Sequence, residues 1–394
     1  MRKKTCLSMV KLVLYFFMML TLSGCLGARE INDLEIVIGM GVDKGEGGQI
    51  SLTAQIVNVS SSGGGPSSSG GGGEGKPFWN VSSKGDSIFE AVRQITHMTG
   101  NRLFISHNQA VIFGNDIAAE GLQKYLDFFL RAHEMRPTAL ILVAEDKASD
   151  VMDAKPETEK YPALNIAKLV ETYGFTSHLY KVNMKDFASS LMSGTTAQIA
   201  PLLSIVKEEE SEDIYVSGMV VFKDGKMVGK LNHDEARGLL WVLGKVESGV
   251  LDVSLPDGKG KAILEIMKAK GQVTPVMEDD KIAFQIKIKA ETSLSEQTTT
   301  ENLATNEMFE KIQEASAEII HQEIMAAFDK SKEFNADIFG FGEMLHKKYS
   351  EQWKKIEKNW DEIYPTIQLN INAETKIIKT DLLKKPVSPK KEEK

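Results

Sequence analysis

The chain has 394 residues, too many for one ordinary core, and a length of this order predicts two or three domains. With 42% apolar and 26% charged residues it has the balance of a folded protein, which excludes disorder as a description of the whole. The net charge of −8 is acidic, so neither a nucleic-acid role nor a polybasic membrane patch has support.

Arg2, Lys3 and Lys4 form a positive region ahead of an almost unbroken apolar run, Leu12 to Leu22. As a helix that run spans only ~16 Å, about half of a bilayer core, so it reads as part of a cleaved signal rather than a permanent span. It ends in Leu22-Ser23-Gly24-Cys25, which resembles the bacterial lipobox, whose cysteine receives diacylglycerol before cleavage. Cys6 lies inside the signal, so the mature chain keeps Cys25 alone and forms no internal disulfide. Two acyl chains on one residue are enough for stable anchoring. Cleavage removes four of the 47 basic side chains and no acidic one, leaving 43 against 55 and a net charge of −12.

Leu34 to Gly39 and Ile50 to Val59 read as an opening hairpin. Residues 60–76 are nearly all Ser and Gly, the composition of a flexible loop, and a strand resumes at Phe78 to Ser82. A helix is expected from Asp86 to about Met98 with Ile88, Phe89, Val92 and Ile95 on one face. A strand from Leu103 to Phe113, a helix from about Ala118 to Arg131 and a buried strand from Ala139 to Val143 follow. This alternation fits an α/β or α+β layer. The acidic stretch Lys207 to Asp213 predicts a domain boundary.

Beyond it, Val216 to Lys223 and Lys226 to Leu231 form a hairpin around Asp224-Gly225, and a helix runs from about Asp234 to Val246. Ile282 to Ala290 alternates as a strand with one buried face. A long helix carries Phe309, Ile312, Ile319, Ile320, Ile324 and Phe328, and a shorter one carries Trp353, Ile356, Trp360 and Ile363 as core positions. Ile367 to Thr375 is a last strand, and a polar tail begins at Leu382.

No catalytic motif survives inspection. Gly70 to Lys76 has phosphate-loop spacing, but Pro77 stands where a magnesium-binding hydroxyl is needed. Lys44 replaces the third glycine after Gly39-Met40-Gly41, so a dinucleotide fingerprint fails. The seven histidines lack zinc-binding spacing, and no Gly-x-Ser-x-Gly elbow occurs. Nothing in the sequence therefore supports a metal, a cofactor or an enzyme activity, and the expectation is a non-catalytic protein.

Four stretches resemble the Ger(x)C family, the lipoprotein C subunits of spore nutrient-germinant receptors. The first is Arg29-Glu30-Ile31-Asn32 running into Leu34 to Asp43, although Leu26-Gly27 stands where many members have Trp-Asp. The second is Gly100 to His107 with Leu126 to Arg131 and Glu134-Met135-Arg136; the third is Gly218 to Phe222 with Glu235 to Trp241. The fourth is Ala336 to Glu343 with Trp353 and Asn359 to Ile363.

The resemblance implies an α+β ectodomain of three domains behind a lipoprotein signal peptide, each a mainly antiparallel or mixed sheet with packed helices. The chain then divides into signal 1–24, lipidated tether 25–30, an N-terminal domain 31–206, a small middle domain 214–262, a C-terminal domain 263–381 and a disordered tail 382–394. It further implies an A subunit and a permease-like B subunit as partners at the outer face of the spore inner membrane. Whether this subunit touches the nutrient stays open. Arg102, His107, Arg131, Glu134 and Arg136 are candidates for a partner surface, or for an internal network in which Arg131 and Glu134 pair along one helix. The competing reading is a solute-binding lipoprotein of a transporter, which predicts two similar lobes.

Overall fold

A computed structural model describes residues 33–58, 77–157, 159–207, 212–255, 258, 260–278 and 281–380, together with 11 and 15. Cys25 with its tether, the Gly/Ser stretch 60–76 and the tail 382–394 lie outside the described residues, as does the signal apart from 11 and 15.

β1 (Leu34–Lys44) and β2 (Ile50–Val57) form the expected antiparallel hairpin, and β3 (Phe78–Gly85) pairs with β2 from Ile50↔Gly85 to Val57↔Phe78. Ser87 starts α1 (Ile88–Thr99) by accepting the Glu90 N–H at 3.2 Å. The strand expected over Leu103 to Phe113 divides into β4 (Arg102–Phe104) and β5 (Ala110–Phe113), both parallel to β1. Between Leu34↔Arg102 and Gly39↔Ala110 the partner chain is longer than β1, and the tight turn Ile105–His107 takes up the surplus.

The helix expected over Ala118 to Arg131 is likewise two, α2 (Asn115–Glu120) and α3 (Gln123–Arg131). At the break the Leu122 N–H donates to the Gly225 carbonyl at 2.8 Å, a partner a hundred residues away that no local rule reveals.

The chain continues through β6 (Leu140–Ala144), α4 (Ala148–Asp153), α5 (Pro162–Glu171), α6 (Tyr173–Thr176), α7 (Met184–Ser193), β7 (Gln198–Lys207), β8 (Glu212–Lys223) and β9 (Lys226–Leu231). One nine-stranded sheet results, ordered β3-β2-β1-β5-β6-β7-β8-β9 with β4 beside β1. Its central strands are parallel and covered on both faces, which is why Ala110–Phe113 and Leu140–Ala144 are unbroken apolar runs. Asp224 and Gly225, at φ 50° and 75°, make the two-residue turn that the right-handed twist of the β8–β9 hairpin requires.

β7 and β8 pair as far as Lys207↔Glu212, so the boundary expected at 207–213 is a hairpin inside one sheet. The next elements are α8 (His233–Leu243), β10 (Val250–Ser254), β11 (Lys261–Glu278), β12 (Lys281–Gln297), α9 (Asn306–Glu333), α10 (Phe341–Lys348), α11 (Ser350–Ile356), α12 (Trp360–Ile363) and β13 (Gln368–Lys379). A second sheet is ordered β10-β11-β12-β13, with β13 parallel to β12 because the helices α9 to α12 form the crossover between them. Segment 214–262 thus contributes strands to both sheets. The architecture is α+β, mixed sheets with packed helices.

One buried cluster runs from a face of the first sheet through Phe222, Trp241 and Phe328 to Phe284 of the second sheet, so the two sheets share a core. A smaller cluster around Ile112, Leu142, Met152 and Ile166 fills the opposite face of the first sheet. The tryptophan helix divides at the turn Glu357–Asn359, and Trp353 and Trp360 meet in the core with rings 5.2 Å apart.

Candidate functional site

The α1 helix lays Ile88, Ala91 and Ile95 on the sheet, which leaves Phe89 half exposed on the neighbouring side. The expected face is thus corrected: Phe89 sits about 100° round the helix from Ile88, on a side that the sheet leaves 54% exposed. The α3 helix buries Tyr125, Leu126 and Phe129 and turns Phe128 toward α1, where its ring lies 6.2 Å from Phe89. Between them is a cleft of about 610 Å³. Arg93 covers the Phe89 ring at 4.9 Å, so the apolar floor carries a cationic rim.

Three of the five candidate residues line this cleft, Arg102, Arg131 and Glu134. Arg102 pairs with Glu134 across the mouth between β4 and the loop after α3. Arg131 pairs with Asp127, one turn back, at 2.7 and 2.9 Å, and not with Glu134 as expected, because the helix ends at Arg131 and Glu134 lies in the loop beyond it. His107 lies apart, its ring 5.5 Å from Phe104, and Arg136 is exposed in the turn before β6. Sequence reasoning missed Phe89, Arg93 and Phe128; two aromatic residues left over when each helix's inward stripe is assigned strictly would have been the signal. Among the described residues no three His, Cys, Asp or Glu side chains converge as a metal site requires.

The other quoted stretches are architectural. Asn232 and Glu235 close a capping box at the start of α8. Arg237 and Trp241 both reach Glu323 of α9, and Gly238 lets the helices touch, since a Cβ there would lie 1.9 Å from the Glu323 carbonyl oxygen. Asp337, buried, accepts the N–H groups of Phe341 and Gly342 at 2.9 and 2.7 Å. Burial pushes its carboxyl up to about 6 against the opposing pull of those N–H groups and the nearby Trp360 indole.

Two family models match the chain in succession: the spore germination protein N-terminal domain over residues 27–205 and the spore germination B3/GerAC-like C-terminal domain over 217–381. The chain belongs to the Ger(x)C family of spore germination proteins. Within Bacillus subtilis (strain 168), spore germination protein KC is 27% identical over 95% of this chain and 96% of its own, and spore germination protein B3 is 26% identical over 93% and 97%. The crystal structure of the GerBC protein shares the fold at a TM-score of 0.58 and 20% identity, covering 86% of this chain and 97% of that one. The junction of the two Ger(x)C models falls on the β7–β8 hairpin, within one sheet.

Proposed function

We propose that this protein is a lipid-anchored, non-catalytic subunit of a spore nutrient-germinant receptor, held by Cys25 on the outer face of the spore inner membrane, and that the α1–α3 cleft receives a membrane-embedded partner subunit. Membership of the Ger(x)C family carries the role in germination. The register Leu34↔Arg102 supports the placement of the partner. The tether from Cys25 to Asp33 reaches at most about 28 Å, and it enters the fold beside Arg102 at the mouth of the cleft. That mouth therefore stays near the bilayer, where a tethered surface meets membrane partners at raised effective concentration. A transporter's solute-binding lipoprotein has less support, because the two sheets differ in strand number and order and so are not similar lobes. No helix among the described residues is long and apolar enough to cross a membrane.

The test is dipicolinate release from spores lacking this chain and its paralogues, complemented with the natural sequence or with Arg102→Glu plus Phe128→Asp. Both the deletion and the double variant are expected to lose release in response to single nutrients while keeping release with a non-nutrient trigger. Normal nutrient release from the deletion spores refutes the receptor role; full complementation by a stably accumulating double variant refutes the cleft.

A further inference from the structure

β3 is an edge of the first sheet, and its register with β2 is unbroken from Ile50↔Gly85 to Val57↔Phe78. The Asn58 N–H donates to the Pro77 carbonyl at 2.8 Å, which makes Asn58↔Pro77 a hydrogen-bonded pair of this ladder. Antiparallel ladders alternate such pairs with pairs that exchange no backbone bonds, so Val57↔Phe78, Gln55↔Asn80, Thr53↔Ser82 and Ser51↔Lys84 are of the second kind. Side chains come closest in those pairs, and two of them touch: Thr53 Oγ1 lies 2.8 Å from Ser82 Oγ, and Gln55 Nε2 donates to Asn80 Oδ1 at 3.2 Å. The N–H and C=O groups of Phe78, Asn80, Ser82 and Lys84 therefore point away from β2, and among the described residues no further strand meets them. A cavity of about 630 Å³ lies beside this edge, between β3 and the segment joining α4 to α5, and Trp79 at its margin is 43% exposed.

An uncovered edge is a template for another strand, and folded proteins blunt it with prolines, bulges, charge or shortness. The sheet's other edge, β9, has six residues and two lysines, Lys226 and Lys230. β3 has eight residues, no proline, no bulge and one charge, Lys84. Any strand that adds to it must offer an outward set of its own, and β3 offers the matching one. Turned about a two-fold axis through Val81, it sets Phe78 opposite Lys84 of the second copy and Asn80 opposite Ser82 of the second copy, all with outward backbone groups. On the other face Trp79 meets Ser83 of the second copy, and Val81 meets its own equivalent. No like charges oppose one another, and an isologous contact of this kind closes at two chains. We propose that β3 is a dimerisation edge, and that two copies join their first sheets into one through antiparallel β3–β3 pairing centred on Val81. The pairing requires neither the lipid nor the α1–α3 cleft.

Sedimentation of the full-length chain in detergent reads the assembly, and a nitroxide on Lys84→Cys reads the register, with Cys6→Ser and Cys25→Ser leaving one thiol. A dimer with a Kd of about 10 μM is expected. Its two labels should lie about 20 Å apart, the length of the strand from Phe78 to Lys84. Ser82→Pro removes an outward N–H without breaking a bond to β2, and should weaken the dimer by about tenfold or more. Ser82→Ala, which loses only the Thr53 contact, should leave it unchanged. A monomer at every concentration up to about 100 μM, a dimer whose labels lie beyond about 30 Å, or a folded Ser82→Pro chain that pairs as tightly as the natural one overturns the proposal. Should Ser82→Pro fail to fold, the label distance decides alone.

Discussion

Arg237 on α8 and Glu323 on α9 form a buried ion pair, Nε to Oε2 at 3.0 Å, with side chains only 7% and 6% exposed. The remaining polar groups are satisfied too: Glu323 accepts from Trp241 Nε1 at 2.8 Å, and Arg237 Nη1 donates to the Val250 carbonyl at 2.9 Å. Removing one partner strands a charge in the core. Glu323→Ala should cost about 3–5 kcal/mol, whereas Arg237→Met with Glu323→Met should cost less than Glu323→Ala alone. Urea unfolding measures both; a loss below about 1 kcal/mol for Glu323→Ala would mean that the pair is not buried in solution.

Two ionisable groups should give stability slopes of opposite sign. Burial, then the neighbouring Arg237 and His233, lower His178 to about 4, so its neutral form stabilises fully above the unfolded value near 6.5 and that stability is lost as pH falls toward 4. Asp337, raised to about 6, holds its proton more tightly when folded, so its contribution is present below about 4 and is lost as pH rises through 6. His178→Gln should therefore make stability fall more steeply from pH 4 to 6, and Asp337→Asn should make it rise. Thermal melts across that range decide, and like-signed changes would contradict the assignment.

Under the lipoprotein reading Cys25→Ala should abolish fatty-acid labelling and lower the membrane-bound fraction, because the thiol that would carry the acyl chains is gone. Undiminished label on the variant would remove the lipoprotein reading.

Deleting residues 63–75 should lower the melting temperature by less than about 5 °C. The ends of this stretch are already joined by the pair Val57↔Phe78 and by the Asn58 N–H bond to the Pro77 carbonyl at 2.8 Å, and loop-closure cost changes slowly with length. A larger fall would show that the Gly/Ser segment packs on the body.

Where a strand or helix answers mainly to its own periodicity, the sequence was enough. The β1–β2 hairpin, the Asp224-Gly225 turn, the alternating strand through Ile282 to Ala290 and the long α9 helix were all legible, because burial of one face imposes a period that the residues must obey. Most of the architecture joining 144 to 207 was not: α4 to α7 are short, mixed in polarity and stabilised by distant contacts, such as the Asp43 carboxylate accepting the Ala148 and Ser149 N–H groups at 2.7 and 2.8 Å.

Tertiary structure alone decided three matters. It broke the helix at Leu122, whose N–H bonds a turn a hundred residues on; it joined the chain across the acidic stretch 207–213 into one sheet; and it turned Arg131 toward Asp127 while giving Glu134 to Arg102. Each depends on which segments meet in space. Family membership, by contrast, was legible in Gly100 to His107, Glu235 to Trp241 and Ala336 to Glu343, and the fold shows why the last two are written as they are. A capping box, a helix contact with no room for a Cβ, a buried ion pair and a buried carboxylate each admit few side chains, so packing constraints leave a readable mark in sequence. The cleft leaves none, because it is a space between elements whose neighbours no local pattern names.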